Sequence, residues 1–133
     1  MRETIWVVLG NDEKIGFEAL SVRQIMIASD LVEARARKAV LDDCKIVGAT
    51  AEQQLEALRK VRHDSQGMHE LVKYCFTWQG AFDIIALSNE ADAARVLDAL
   101  GPTEICRLAL RLVNHEIDAE GKLTSRSTGT VGG

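Results

Sequence analysis

Four side chains that can bind an anion or act as a nucleophile lie in two short segments where polar and apolar residues alternate. They are Lys73, Cys75, Arg107 and Arg111. Alternation with a period of two is typical of a β-strand with one buried face. A cation buried on the other face needs a carboxylate or an anionic ligand beside it. The four residues therefore predict an anion-binding site, and the alternatives are a solvated face or a dimer interface with Asp83 or Glu104.

A second group of side chains predicts a pocket for a small ligand or for acid–base chemistry. The group comprises His69, Tyr74, Trp78 and Asp83. A histidine beside a carboxylate can act as a base near neutral pH, although alternating aromatic residues also fit ordinary core packing. The chain contains no nucleotide-binding, zinc-protease or hydrolase motif, and its three histidines and three cysteines lack metal-site spacing. We therefore predict neither a cofactor nor a metal.

Basic residues in a long segment without glycine or proline indicate a third kind of site. Residues 21–43 can form a helix, a short turn at Asp30 and a second helix that carries Arg35, Arg37 and Lys38. This pair resembles a helix-turn-helix unit, whose recognition helix contacts phosphates and bases. The alternative is an amphipathic helix pair that covers a sheet. The net charge of −4 favours that alternative, because an acidic chain is not attracted to nucleic acid in general.

Seven predicted elements position these side chains, and the first two helices form one helical region. Apolar alternation predicts strands at residues 4–9, 69–78, 81–88 and 104–114, and the longer periodicity with its caps predicts helices at residues 17–43, from Thr50, and at 89–101. The resulting β-α-β-β-α-β order predicts an α+β fold. Specifically, it predicts a ferredoxin-like split βαβ antiparallel sheet with its helices on one face and an extra helical segment at residues 17–43. We expect residues 1–117 to form a single domain and the Gly- and Ser-rich residues 118–133 to form a disordered tail.

The segment that begins at Gln79 and runs through residues 90–101 and 104–113 resembles the GYD-domain family. Gly80, Phe82 and Asp83 match the Gly-x-Tyr/Phe-Asp hairpin turn of that family, with phenylalanine in the aromatic position. The resemblance implies a dimeric α+β barrel in which two sheets pair face to face. It implies no activity, because no general activity attaches to the family and a fold does not determine a function.

Composition limits the class of protein. The hydrophobic share of 47% and the charged share of 27% are those of a globular chain, and no apolar stretch approaches the length of a membrane span. An odd number of cysteines and the lack of an export signal predict free thiols in the cytoplasm and no membrane partner.

These observations favour a small non-catalytic binding or regulatory module that self-associates through its sheet as a dimer or higher oligomer and binds a small anionic ligand. One alternative is a transcriptional regulator that binds DNA through residues 21–43. The other is a cofactor-free enzyme of the dimeric α+β barrel type.

Overall fold

The computed structural model describes residues 2–64, 67–113, 115–117 and 123–125. Within these residues it contains six α-helices and two antiparallel pairs of β-strands. In chain order they are β1 (Thr4–Val8), β2 (Lys14–Glu18), α1 (Val22–Val47), α2 (Ala51–Asp64), α3 (Met68–Cys75), α4 (Trp78–Ser88), α5 (Glu90–Ala99), α6 (Pro102–Leu112), β3 (His115–Ile117) and β4 (Leu123–Ser125). The α+β class is confirmed. The predicted tail at residues 118–133 lies outside the described residues except for β4.

The hairpin of β1 and β2 packs one apolar face on the helices. Ile5, Val7, Ile15 and Phe17 alternate with exposed residues and are buried, and the hairpin contacts α4 and α6. Asp12 in the connecting turn has φ 64°, a left-handed conformation that aspartate tolerates better than most residues. The first predicted strand is thus confirmed. The prediction of helix from residue 17 is wrong at its start, because residues 14–18 form β2.

Helix α1 runs without a break through the position where we predicted a turn. Its N-cap Ser21 and Gln24 form a capping box, and it ends at Gly48, whose φ of 67° is left-handed. Ala28 and Val32 are buried four residues apart, so one helical face continues past Asp30. A helix-turn-helix unit at residues 21–43 is therefore not formed. Thr50 and Gln53 form both hydrogen bonds of a capping box, and α2 follows it. The predicted helix start at Thr50 is therefore confirmed.

The hairpin predicted at residues 69–88 is wrong, since both of its strands are helices. The hydroxyl of Thr77 accepts a 2.9 Å hydrogen bond from the Gly80 N–H and caps α4, where the sequence suggested a tight turn. Ala81, Ile84 and Ile85 are buried at helical spacing, and α3 buries Leu71, Val72 and Cys75 in the same way. The aromatic residues that suggested a strand lie largely outside the core, with Phe76 and Trp78 exposed.

The strand predicted at residues 104–114 is also wrong, because these residues belong to α6 and the turn after it. Pro102 follows Gly101 at the first helical position, where its fixed φ favours a helix. Ile105, Leu108, Ala109 and Leu112 are buried with helical spacing. The leucines do pack inward as predicted, but from a helix. Among the described residues β1 pairs with β2 and β3 with β4, so the four-stranded ferredoxin-like sheet is not found there.

We expect Gly80→Ala to destabilise the protein by about 3 kcal/mol, because the N-terminus of α4 approaches the end of α3 too closely for a side chain. A Cβ atom at this position would lie 2.6 Å from the carbonyl carbon of Tyr74 and 2.7 Å from Oγ1 of Thr77. Urea unfolding followed by circular dichroism measures the loss.

The matched control for Gly80→Ala is Gly101→Ala. A Cβ atom at Gly101 would meet nothing within 4 Å, and its φ of −75° suits alanine. Because Gly101 is the N-cap of α6, where alanine is less favourable than glycine, the control should lose at most about 1 kcal/mol of its free energy of unfolding. Equal stability of the two variants would contradict the close approach.

Candidate functional site

The two edges of the β1–β2 hairpin differ in how their backbone groups are satisfied. Leu9 donates to the carbonyl of Glu13 at 2.8 Å, and Ala19 donates to that of Glu3 at 2.8 Å. Hydrogen-bonded and non-hydrogen-bonded pairs alternate in an antiparallel ladder, so Ile5 and Val7 direct their N–H and C=O groups to β2. The backbone groups of Thr4, Trp6 and Val8 therefore point away from β2, to the outer edge of β1.

The outer edge of β2 is covered by the junction of α4 and α5. Ser88 donates a 2.7 Å hydrogen bond to the carbonyl of Glu18, and the side-chain amide of Asn89 donates at 3.3 Å to that of Gly16. Lys14 and Glu18 also place charges on this strand. Charged side chains and covered backbone groups both prevent an edge strand from pairing with another chain.

The outer edge of β1 has no comparable protection. Within the described part of the chain, the outward backbone groups of Thr4, Trp6 and Val8 form no hydrogen bond. The strand contains no charged residue and no proline, and the side chains of Trp6 and Val8 are 63% and 55% exposed. A Cβ atom at Gly16 would lie 3.1 Å from Cζ3 of Trp6, so the indole covers the glycine of the neighbouring strand. We call this feature, the backbone of Thr4, Trp6 and Val8 with its side chains, the open edge.

A groove with a volume of about 330 Å³ separates β1 from α6. Its walls are residues 5–8 of β1 and, from the side of α6, Leu100, Glu104, Arg107, Leu108 and Arg111. Arg111 lies 3.5 Å from a carboxylate oxygen of Glu3, whereas Arg107 is exposed and forms no ion pair with a described residue. An extended segment beside β1 would thus find unpaired backbone groups on one side and a cation on the other.

The predicted anion site is only partly assembled. Arg107 and Arg111 share one groove, as predicted, because residues four apart lie on one side of a helix as well as of a strand. Lys73 lies on α3 and pairs with Glu70 at 3.6 Å. Cys75 is buried, and this burial raises the pKa of its thiol to about 12, so it is a poor nucleophile. All three cysteines are free thiols.

Arg35 joins residues that the sequence assigned to two different sites. Its Nε donates to the hydroxyl of Tyr74 at 2.7 Å and to Oδ2 of Asp83 at 2.8 Å, and its Nη2 donates to Oδ1 of Asp83 at 3.2 Å. Tyr74 also donates to Asp83 through a short hydrogen bond, and Gln79 donates to it at 3.1 Å. This Arg35 network ties α1 to α3 and α4.

Within the Arg35 network the charged forms of Arg35 and Asp83 and the neutral form of Tyr74 are stabilised. Burial by itself would raise the pKa of Asp83, but the hydrogen bonds from Arg35, Tyr74 and Gln79 outweigh it and lower the pKa. Burial, and then the neighbouring carboxylate, raise the pKa of Tyr74. A carboxylate held ionised by three donors is a weak base. The geometry therefore fits a structural clamp better than a catalytic pair.

The other predicted site residues are dispersed over the surface. His69 and Trp78 are exposed and form no hydrogen bond with Tyr74 or Asp83. Arg37, Lys38 and Lys45 are exposed on one face of α1 beside the half-buried Leu41, while Arg35 forms the hydrogen bonds of its own network. Within the described residues no cluster of histidine, cysteine and acidic side chains could hold a metal ion.

Sequence reasoning missed the open edge, although the signal was present. The short apolar strand TIWVV contains none of the charged or proline residues that protect an edge strand, and its outward positions are Thr4, Trp6 and Val8. The sequence did not indicate that, among the described strands, β2 alone would pair with β1.

Comparisons with known proteins give no relative from which a function could be inferred. No family model matches the chain, and no curated protein and no solved structure is significantly similar to it. The resemblance to the GYD-domain family stays a prediction, and Gly80, Phe82 and Asp83 lie in α4. None of the described helices is both long and apolar enough to cross a membrane.

We expect Asp83→Asn to lower the free energy of unfolding by about 1–3 kcal/mol at pH 7, because Arg35 and Tyr74 lose the carboxylate that they share. The folded pKa of Asp83 is lowered, so its ionised form stabilises the protein above the unfolded pKa of about 3.9, and this contribution disappears as the pH falls through the folded pKa. The difference between wild type and variant should therefore shrink in acid.

Urea unfolding at a series of pH values from neutral to acidic tests the role of Asp83. Asp42→Asn is the control, because Asp42 is exposed on α1 and forms no hydrogen bond or ion pair with a described residue. A difference for Asp83→Asn that is independent of pH would contradict the assignment.

Proposed function

We propose that the protein is a non-catalytic interaction module that self-associates through its sheet, by antiparallel pairing of two β1 strands at their open edges. The observation that carries this proposal is the contrast between the two edges of one hairpin. Ser88 and Asn89 cover β2, while the outward backbone groups of Thr4, Trp6 and Val8 in β1 form no hydrogen bond with a described residue. Unprotected edges of this kind are templates for strand addition.

A second copy of β1 suits the open edge because the edge is symmetric about Trp6. Antiparallel pairing about a two-fold axis places Thr4 opposite Val8 of the partner and Trp6 opposite Trp6 of the partner. Every outward N–H and C=O of the three residues then meets a complementary group, and the interface is isologous. The two exposed indoles become cross-strand neighbours, and aromatic pairs of this kind stabilise a sheet by roughly 0.5–1 kcal/mol.

The non-catalytic part of the proposal is supported by the state of the reactive side chains. The thiol of Cys75 is buried, and the Asp83 carboxylate is held by three donors in the Arg35 network. Cys44 is also buried, and free thiols suit a cytoplasmic protein. DNA binding by residues 21–43 finds less support, because α1 is continuous and Arg35 is already paired.

Trp6→Lys should weaken self-association roughly tenfold or more, because two lysines would face each other across the two-fold axis in place of an aromatic pair. Sedimentation velocity over a range of concentrations measures the dissociation constant. Val8→Lys is a second variant of the same edge, and its lysine would lie opposite Thr4 of the partner.

Trp78→Lys is the matched control, since Trp78 is 63% exposed, as Trp6 is, but lies on α4. The control should associate like the wild type. A wild type that remains monomeric at high micromolar concentration refutes the proposal, as does equal weakening by Trp6→Lys and Trp78→Lys. Circular dichroism confirms that each variant is folded.

A further inference from the structure

A second groove, with a volume of about 250 Å³, lies beside α6 and shares Arg107 with the groove at β1. Its walls are formed by Phe76, Pro102, Thr103, Cys106 and Arg107. Phe76 lies in the connection between α3 and α4, and the other four residues belong to the first turns of α6. We call this site the Phe76 groove.

The walls of the Phe76 groove are mostly apolar. Phe76 is 50% exposed, so its ring is accessible to a ligand in the groove. Pro102 adds an aliphatic ring, and burial raises the pKa of the half-buried Cys106 thiol, which stays neutral at pH 7 and adds a soft apolar surface. Sites for small molecules combine such walls with a few polar groups that fix orientation.

Arg107 is the charged group of the Phe76 groove, and its side chain is exposed. The neighbouring arginine on the same side of α6, Arg111, is paired with Glu3, and Arg35 is paired with Asp83. Arg107 forms no ion pair or hydrogen bond with any residue that the structure describes. A guanidinium group binds a carboxylate through two parallel hydrogen bonds, a geometry that a planar anion matches.

We propose that the Phe76 groove binds a small organic anion with an apolar body, a monocarboxylate whose aromatic or aliphatic part lies against Phe76, Pro102 and Cys106 and whose carboxylate pairs with Arg107. This ligand site goes beyond self-association and does not depend on it, because the groove contains no residue of β1. The volume of about 250 Å³ limits the ligand to the size of one ring or a short chain.

The reactivity of the Cys106 thiol reports whether the Phe76 groove is occupied. Of the three cysteines, Cys44 and Cys75 are buried and Cys106 is half-buried in the groove wall. Alkylation of Cys106 by neutral iodoacetamide, followed by peptide mass spectrometry, should slow when the groove is filled. With phenylacetate at about ten times its dissociation constant we expect a roughly tenfold slower reaction, because only the free protein reacts.

Two further compounds separate the two parts of the recognition. Phenylacetamide has the ring without the charge, and acetate has the charge without the ring, so neither should protect Cys106 at the same millimolar concentration. Protection by phenylacetamide equal to that by phenylacetate would overturn the role of Arg107. Protection by acetate equal to that by phenylacetate would overturn the role of the apolar walls.

Arg107→Gln should abolish protection by phenylacetate, whereas Arg111→Gln, one helical turn away and outside the Phe76 groove, should retain it. Phe76→Ala should weaken protection through the loss of the ring contact. If Cys106 reacts too slowly to follow, the amide resonances of Phe76 and Cys106 in a ¹⁵N correlation spectrum report the same titration. No protection and no resonance shift with millimolar phenylacetate would refute the proposal.

Discussion

The open edge is significant because every backbone N–H and C=O of a strand needs a hydrogen-bond partner. A two-stranded sheet has two outer edges. Here the burial of Ile5, Val7 and Phe17 fixes the hairpin against α4 and α6, and this orientation brings Ser88 and Asn89 to the edge of β2. The same docking leaves the edge of β1 beside a groove, where its outward backbone groups form no hydrogen bond with a described residue.

Local signals in the sequence predicted the ends of elements better than their type. The caps predicted at Thr50 and Asn89 mark helix starts in the structure, because capping depends on neighbours in the chain. Gly101, predicted as the end of a helix, lies between α5 and α6 and is also the N-cap of α6. The segment of residues 104–114 was misassigned since its apolar residues fit a period of two and a period of 3.6 equally well, and burial of Ile105 and Ala109 decides for a helix. The packing of α6 against α4 determines which of the two periods applies, and a local sequence pattern does not contain this information.

Those parts of the candidate sites that depend on the spacing of residues along the chain could be predicted from the sequence. Arg107 and Arg111 are four residues apart, so they lie on the same side of a strand or of a helix. They therefore line one groove although the predicted strand is a helix. Tyr74 and Asp83 were expected to be close, and they do meet. Their partner Arg35 lies on α1, 39 residues before Tyr74 in the sequence. The packing of α1 against α3 and α4 brings it to Tyr74 and Asp83. Periodicity cannot predict such contacts between elements that are far apart in the sequence.

Arg107 connects the two surfaces that the function would use, because it lines both the groove at β1 and the Phe76 groove. An anion bound to Arg107 changes the charge beside the open edge, while a strand added to that edge changes the solvation of Arg107. Such an effect has to be reciprocal, since the free energy by which an anion alters pairing equals that by which pairing alters anion affinity. Its size depends on the distance between the guanidinium groups of the two copies, because like charges repel more strongly the closer they lie. A carboxylate bound to Arg107 removes this repulsion, so the ligand favours the pairing of two copies.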